Sequence, residues 1–182
     1  VFIGVHNPAP KLICFGAVHV AEILTKLGKV MGFRTVVVDP REQLATKEKF
    51  GHVDELIIGW PQDVADWLNL NRSSFVAVLT HDPKFDEPAL TACLDREVRY
   101  VGLLGSRKTV QKRLERLREA GVPQEKIDRI RTPIGLNLGS DRAEVIALGI
   151  LAEMVQIKYR GTGRPMEEKR LAALAEKAAV GS

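Results

Sequence analysis

Cysteine and aromatic residues are scarce in this chain of 182 residues. Its two cysteines, Cys14 and Cys93, form neither a Cys-x-x-Cys pair nor a multi-cysteine framework, so no disulfide scaffold is expected and a reducing, cytoplasmic setting fits. Aromatics make up only 5% of the residues, and the 27 lysines and arginines are spread over helix faces instead of gathered into a basic block. Nucleic acid is therefore not an expected partner. Nothing approaches the roughly 18 consecutive apolar residues of a membrane span, and the first residues lack the charged and apolar regions of a signal peptide. No membrane association is expected. A net charge of +4 suggests anionic ligands only weakly, while 45% hydrophobic and 27% charged residues are an ordinary globular balance. That length and balance suit one well-buried domain.

Apolar runs bounded by turn residues alternate with longer helical patterns, as a parallel sheet covered on both faces requires. Five strands are predicted, at Lys11 to Phe15, Thr35 to Val38, Glu55 to Ile58, Phe75 to Leu79 and Tyr100 to Leu104, with a shorter sixth near Arg129 to Arg131. Between them, Val20, Ile23, Leu24, Leu27, Val30 and Met31 recur at helical spacing, as do Val64, Trp67 and Leu68, then Leu90 and Leu94, then Val110, Leu114 and Leu117. Each reads as a core stripe. A late helix over about Asp141 to Lys158 is apolar on nearly every side, which predicts burial against more than the sheet and a homodimer joined along it. Asp141 followed by Glu144 has capping-box spacing at its start. The expected architecture is α/β: a Rossmann-like, doubly wound parallel sheet in three layers. It places a lead over residues 1–10, a single domain over 11–160, and a tail over 161–182 with a helix from Pro165 to Val180.

Residues 11–39 carry the most specific local signal. The first apolar run ends at Gly16, a helical pattern follows, and the second run ends at Asp39, 23 positions after that glycine. This is the spacing of a dinucleotide-binding β-α-β unit, whose three glycine positions serve a tight turn, approach of a pyrophosphate, and close helix packing. Here those positions hold Gly16, Val18 and Ala21. A β-branched side chain at Val18 puts methyl groups where phosphate oxygens would otherwise meet bare backbone. The competing reading is an α/β turn that binds nothing.

In open parallel sheets ligands bind beyond the carboxyl ends of the strands, where strand order reverses. The residues there are polar: Gly16, Val18 and His19 after strand one, Asp39 and Arg41 after strand two, Thr80, His81 and Asp82 after strand four, and Gly105, Ser106 and Arg107 after strand five. All are candidate cofactor-binding residues. Ser106 can cap the following helix, and Arg107 beside exposed N–H groups would attract an anion; an unliganded serine cap would look the same. Asp39 suits a ribose diol and would equally serve a plain turn. His19, His81 and Asp82 have no diagnostic metal spacing and are better suited to hydrogen bonding with loop backbone or ligand. No metal ligand or catalytic residue is assigned.

Taken in order, GAVHV (Gly16 to Val20), VDPRE (Val38 to Glu42), LTHD (Leu79 to Asp82), YVGLLGSR (Tyr100 to Arg107) and PIGLNLGS (Pro133 to Ser140) closely resemble the XdhC/CoxI family over about Pro10 to Val155. Its members are accessory proteins for molybdenum-cofactor enzymes such as xanthine dehydrogenase and carbon monoxide dehydrogenase. The resemblance covers that family's Rossmann domain and not its cysteine-bearing domain. It implies binding of the molybdenum cofactor, as molybdopterin or its cytosine dinucleotide, cooperation with a cysteine desulfurase, and delivery to an apo molybdenum hydroxylase. It implies a maturation factor or chaperone more than an enzyme that turns over a metabolite. Three departures stand out: GAVHV for the usual GAGHV, GLNLG with Asn137 for an aspartate, and no cysteine-bearing domain. Two other classes compete: an NAD(P)-binding oxidoreductase or nucleotide-sensing module, and an interaction protein with a degenerate pocket.

Overall fold

The computed structural model describes residues 9–168, so residues 1–8 of the expected lead over 1–10 and the part of the expected tail helix beyond residue 168 lie outside the described residues. Six parallel strands form one sheet: β1 (Lys11–Phe15), β2 (Arg34–Val38), β3 (Glu55–Ile57), β4 (Ser74–Val78), β5 (Tyr100–Leu103) and β6 (Ile130–Arg131). The order across it is β3-β2-β1-β4-β5-β6. The chain thus builds outward from β1 in one direction, then returns to start again on β1's other side. That reversal opens between β1 and β4, at their carboxyl ends.

The strands lack inside-outside alternation because both faces are covered. Leu12, Ile13, Cys14 and Phe15 are all buried, yet their side chains divide by parity between two cores. Ile13 and Phe15 join Val36, Val38, Val76 and Val78 under α4 (Pro83–Leu94) and α5 (Arg107–Glu119), which contribute Phe85, Leu90, Val110 and Leu117. Leu12 and Cys14 join Val37, Phe75 and Ala77 beneath α1 (His19–Val30) and α7 (Ala143–Tyr159), which contribute Leu24, Ile150 and Met154. Each such large apolar side chain stabilises the fold by about 1.5–3 kcal/mol before entropy is charged against it. Burial also pushes the Cys93 thiol up to about 12 and the Cys14 thiol higher still, so both stay protonated and inert at neutral pH.

Three short helices, α2 (Lys47–Phe50), α3 (Pro61–Val64) and α6 (Gln124–Ile127), sit in the connections. Two expected stripes run too far. Val30 and Met31 lie past the reach of the sheet at the end of α1 and are exposed, and Trp67 beyond α3 is 73% exposed. Ile58 also falls outside β3 and is exposed, because the edge strand ends one residue sooner than its pattern suggests.

The apolar circumference of α7 is largely used within the chain. It packs along α1, and Gly149 admits the Leu136 backbone, whose oxygen would lie 2.6 Å from any added Cβ. The Leu136 N–H donates to the Gly149 carbonyl at 3.1 Å. Leu148 remains half exposed on the outer side. The Asp141–Glu144 capping box does not form. The helix starts one residue later than that box requires, with Arg142 at the cap position and no side-chain cap bond, and Glu144 pairs with Arg142 at 3.4 Å.

Candidate ligand-binding site

The strands are parallel, so the turns after β1, β2, β4 and β5 all leave from the same edge of the sheet, and the reversal between β1 and β4 is called the mouth. Gly16 turns the chain with φ +114°, a region closed to most side chains, and a Cβ there would lie 2.5 Å from Thr80 Cγ2. The β1 and β4 turns therefore press together at the reversal. Val18 occupies the cap position of α1 with φ −102° and ψ 167°, ordinary extended backbone that a valine adopts without strain, and its side chain packs against the α1/α7 core. No side chain caps that helix start. Its first N–H groups face the mouth's side of the sheet, where a helix terminus favours an anion.

Asp39 is completely buried, and both its oxygens are engaged. Oδ1 accepts from the Arg41 N–H at 2.9 Å and from Arg41 Nε at 2.8 Å; Oδ2 accepts from the Ala17 N–H at 2.7 Å and from Arg41 Nη2 at 2.7 Å. Burial alone would raise this carboxyl's pKa, but the Arg41 guanidinium and the two backbone donors together hold it below the ordinary aspartate value. Asp39 thus joins the β1 turn to the β2 turn. Of the two readings the sequence left open for Asp39, a ribose acceptor and a plain turn residue, these contacts are those of a residue bracing its turn.

Thr80 is buried at the end of β4, and its hydroxyl donates to Asp86 Oδ1 on α4. Asp86 and Arg113 were not singled out in the sequence, yet they form a fully buried pair, with Arg113 Nη2 2.8 Å from Asp86 Oδ2. Arg113 also donates from Nη1 to the Leu104 carbonyl at 3.2 Å and from Nη2 to the Thr80 carbonyl at 3.5 Å. The pair ties the β4 and β5 turns to α4 and α5. It is close but incompletely satisfied: the approach at Oδ2 is not aligned as a hydrogen bond, and Arg113 Nε has no acceptor among the described residues. Burial pushes the Asp86 carboxyl up to about 6, against the pull of the Thr80 hydroxyl and the Arg113 charge. The available signal was a charge inside an apolar stripe: Arg113 sits between Val110 and Leu117, and Asp86 beside Phe85 and Ala89.

The remaining candidates lie on the rim. Ser106 accepts from the Thr109 N–H at 3.3 Å and so caps α5, with Arg107 exposed beside it and Gly105 part-buried behind. His81 and Asp82 are exposed; Asp82 caps α4 by accepting from the Lys84 N–H at 3.0 Å. His19 is exposed, with Nδ1 3.6 Å from Glu22. Past β6, the Gly135 N–H at 3.0 Å and the Tyr100 hydroxyl at 2.6 Å both donate to Glu153 Oε2, which anchors the following loop on α7. Asn137 is exposed on that loop and accepts from the Gly139 N–H at 3.0 Å. Among the described residues, no group of three or more His, Cys, Asp and Glu side chains is placed to hold a metal ion. None of their helices is long and apolar enough to cross a membrane.

The five turn segments that the sequence singled out thus lie on a recognisable frame. Over residues 12–154 the chain matches the family described as the XdhC Rossmann domain. A protein of Bacillus subtilis (strain 168) named as a probable xanthine dehydrogenase component is 30% identical over 159 residues, which is 87% of this chain and 46% of that protein. The molybdenum cofactor insertion chaperone PaoD of Escherichia coli (strain K12) is 33% identical over 89 residues, 49% of this chain and 28% of that one. A crystal structure of a xanthine dehydrogenase from Bacillus halodurans matches with a TM-score of 0.74 at 30% identity, covering 88% of this chain and 46% of that one. The chain spans less than half the length of each of these relatives. The match to the family extends over most of the described chain and takes in all six strands, so the chain belongs to the family of the XdhC Rossmann domain.

Proposed function

We propose that this domain serves a maturation factor for a molybdenum hydroxylase of the xanthine dehydrogenase type. In this reading the mouth at the β1/β4 reversal binds the molybdenum cofactor, as molybdopterin or its cytosine dinucleotide, and presents it for insertion into the apo-enzyme. The observation that carries the reading is the family match running through every turn that lines the mouth, joined to a relative named a molybdenum cofactor insertion chaperone.

The chemistry of the mouth suits such a ligand. A phosphorylated pterin or dinucleotide needs hydrogen-bond donors and positive charge, and the rim offers the uncapped start of α1, Arg41 and Arg107. The bound group would supply the metal and its redox chemistry to the client; the residues here would only hold and orient it. His19 and His81 stand ready to hydrogen-bond its polar edges.

Calorimetric titration with molybdopterin cytosine dinucleotide tests the reading. Saturable binding is expected, and Arg107→Ala should weaken it about tenfold or more, the loss of one charge-assisted contact of roughly 1.5–3 kcal/mol. If the intact domain shows no binding, the cofactor role is wrong; unchanged affinity in Arg107→Ala would remove only Arg107 from the site.

A further inference from the structure

The state of Asp39 decides what the β2 end of the mouth can recognise. In dinucleotide folds an acidic residue at this place accepts from a ribose diol, whereas a nearby arginine accommodates a phosphate on the same ribose. A carboxylate offers about four acceptor positions. Those of Asp39 are filled by the Ala17 N–H, the Arg41 N–H, Nε and Nη2, and none of its surface reaches solvent. A diol arriving there finds no lone pair to donate to.

Arg41 is in the opposite condition. Its side chain is 44% exposed, and two of its five side-chain donors are spent on Asp39. The other three lie on Nη1 and Nη2, the end of the fork that faces away from Nε. A planar fork braced on one edge by a buried carboxylate is pre-organised, so little side-chain entropy is lost when its other edge meets two oxygens.

We propose that Arg41 reads an anionic oxygen group of the ligand, a phosphate or carboxylate, at the β2 end of the mouth, and that Asp39 acts only as the residue positioning Arg41. This rests on the reading above that the mouth takes a nucleotide-type ligand, and adds which chemistry it selects. Asp39 and Arg41 together select for a group that only accepts hydrogen bonds, against a neutral diol that must also donate them.

NAD and NADP are the matched probes, since they differ by one phosphate on a ribose hydroxyl. Calorimetry on the whole chain should find NADP bound at least tenfold more tightly than NAD. In Arg41→Gln the two affinities should become nearly equal; in Arg41→Lys, which keeps the charge without the fork, part of the preference should remain. Circular dichroism checks that both variants fold. Equal affinities in the unaltered protein, a preference for NAD, no binding of either probe, or a preference untouched by Arg41→Gln would each overturn the inference. Molybdopterin cytosine dinucleotide separates it from the reading beneath it. Binding of that ligand that ignores Arg41→Gln keeps the cofactor role and removes Arg41. An NADP preference lost in Arg41→Gln, beside no binding of the molybdenum ligand, does the reverse.

Discussion

Asp39–Arg41 and Asp86–Arg113 lie at the same end of one sheet and consist of the same two chemical groups, but their surroundings differ. Arg41 leaves 44% of its side chain in solvent while its aspartate is sealed; in the deeper pair neither side chain is exposed at all. Around Asp39 every acceptor is matched by a donor, and the carboxyl is held below its ordinary pKa. Around Asp86 burial outweighs its partners, and the carboxyl is pushed up to about 6. A charge at a rim can be braced from inside and still present donors outward. One in the interior spends its donors on neighbouring carbonyls, and what it does is hold turns in place. Desolvation, not residue type, separates the two roles.

Breaking the deeper pair should have the largest effect. Arg113→Met leaves the Asp86 carboxylate buried without its countercharge, and such losses cost about 3–5 kcal/mol. Adding Asp86→Leu should recover most of that, because an apolar pair of similar volume needs no solvation. Urea denaturation of the two variants decides the point; a double variant no better than the single one would mean that Thr80 and the loop carbonyls carry the cost instead.

A smaller effect sharpens the contrast through pH. With its folded pKa raised from 3.8 to about 6, Asp86 keeps a proton across a window where the unfolded chain has lost it. The stability this group contributes is therefore full below about pH 4 and is lost as pH rises through about 6. The Asp39 pKa shift runs the other way, its contribution being present at neutral pH and lost on acidification below the ordinary aspartate range. Comparing unaltered protein with Asp86→Asn isolates the deeper group. From pH 5 to pH 7 the unaltered protein should lose about 1 kcal/mol relative to the variant. Parallel pH profiles by thermal unfolding would show that Asp86 is already ionised at pH 5.

The smallest expected change is at Val18, next to the N–H that braces Asp39. Val18→Gly should cost only about 1 kcal/mol, since the valine is part-buried at a cap position where glycine is tolerated. If its methyl groups obstruct a pyrophosphate, dinucleotide affinity should rise as stability falls. A folded variant with unchanged affinity in calorimetry would show that the valine is not the obstacle.

Most of the frame was readable from residue order. Continuous apolar runs such as Leu12 to Phe15 and Val36 to Val38 announce strands covered on both sides, and Gly16, Asp39 and Ser106 mark the turns that follow them. Helix ends were less readable. Val30, Met31 and Trp67 continue a hydrophobic pattern past the point where anything remains to cover them, and one residue's shift at Arg142 undid the Asp141–Glu144 box. The turn residues at the sheet's edge were legible as positions, and their hydrogen-bond partners were not. Asp39 and Arg41 are two apart in sequence, yet the Ala17 N–H that completes the acceptor set comes from 22 residues away.

By itself, then, the sequence determined the alternation of strands and helices and the turns that follow each strand, because apolar periodicity and turn residues act over a few neighbouring positions, while five ordered motifs carried the resemblance to the family. Only the tertiary structure decided which charges are spent and which remain. Pairing Arg113 with Asp86, filling Asp39 and leaving Arg41 half in solvent depend on how deep each group lies and on which distant donors reach it, and hydrogen-bond satisfaction is settled only when those segments meet.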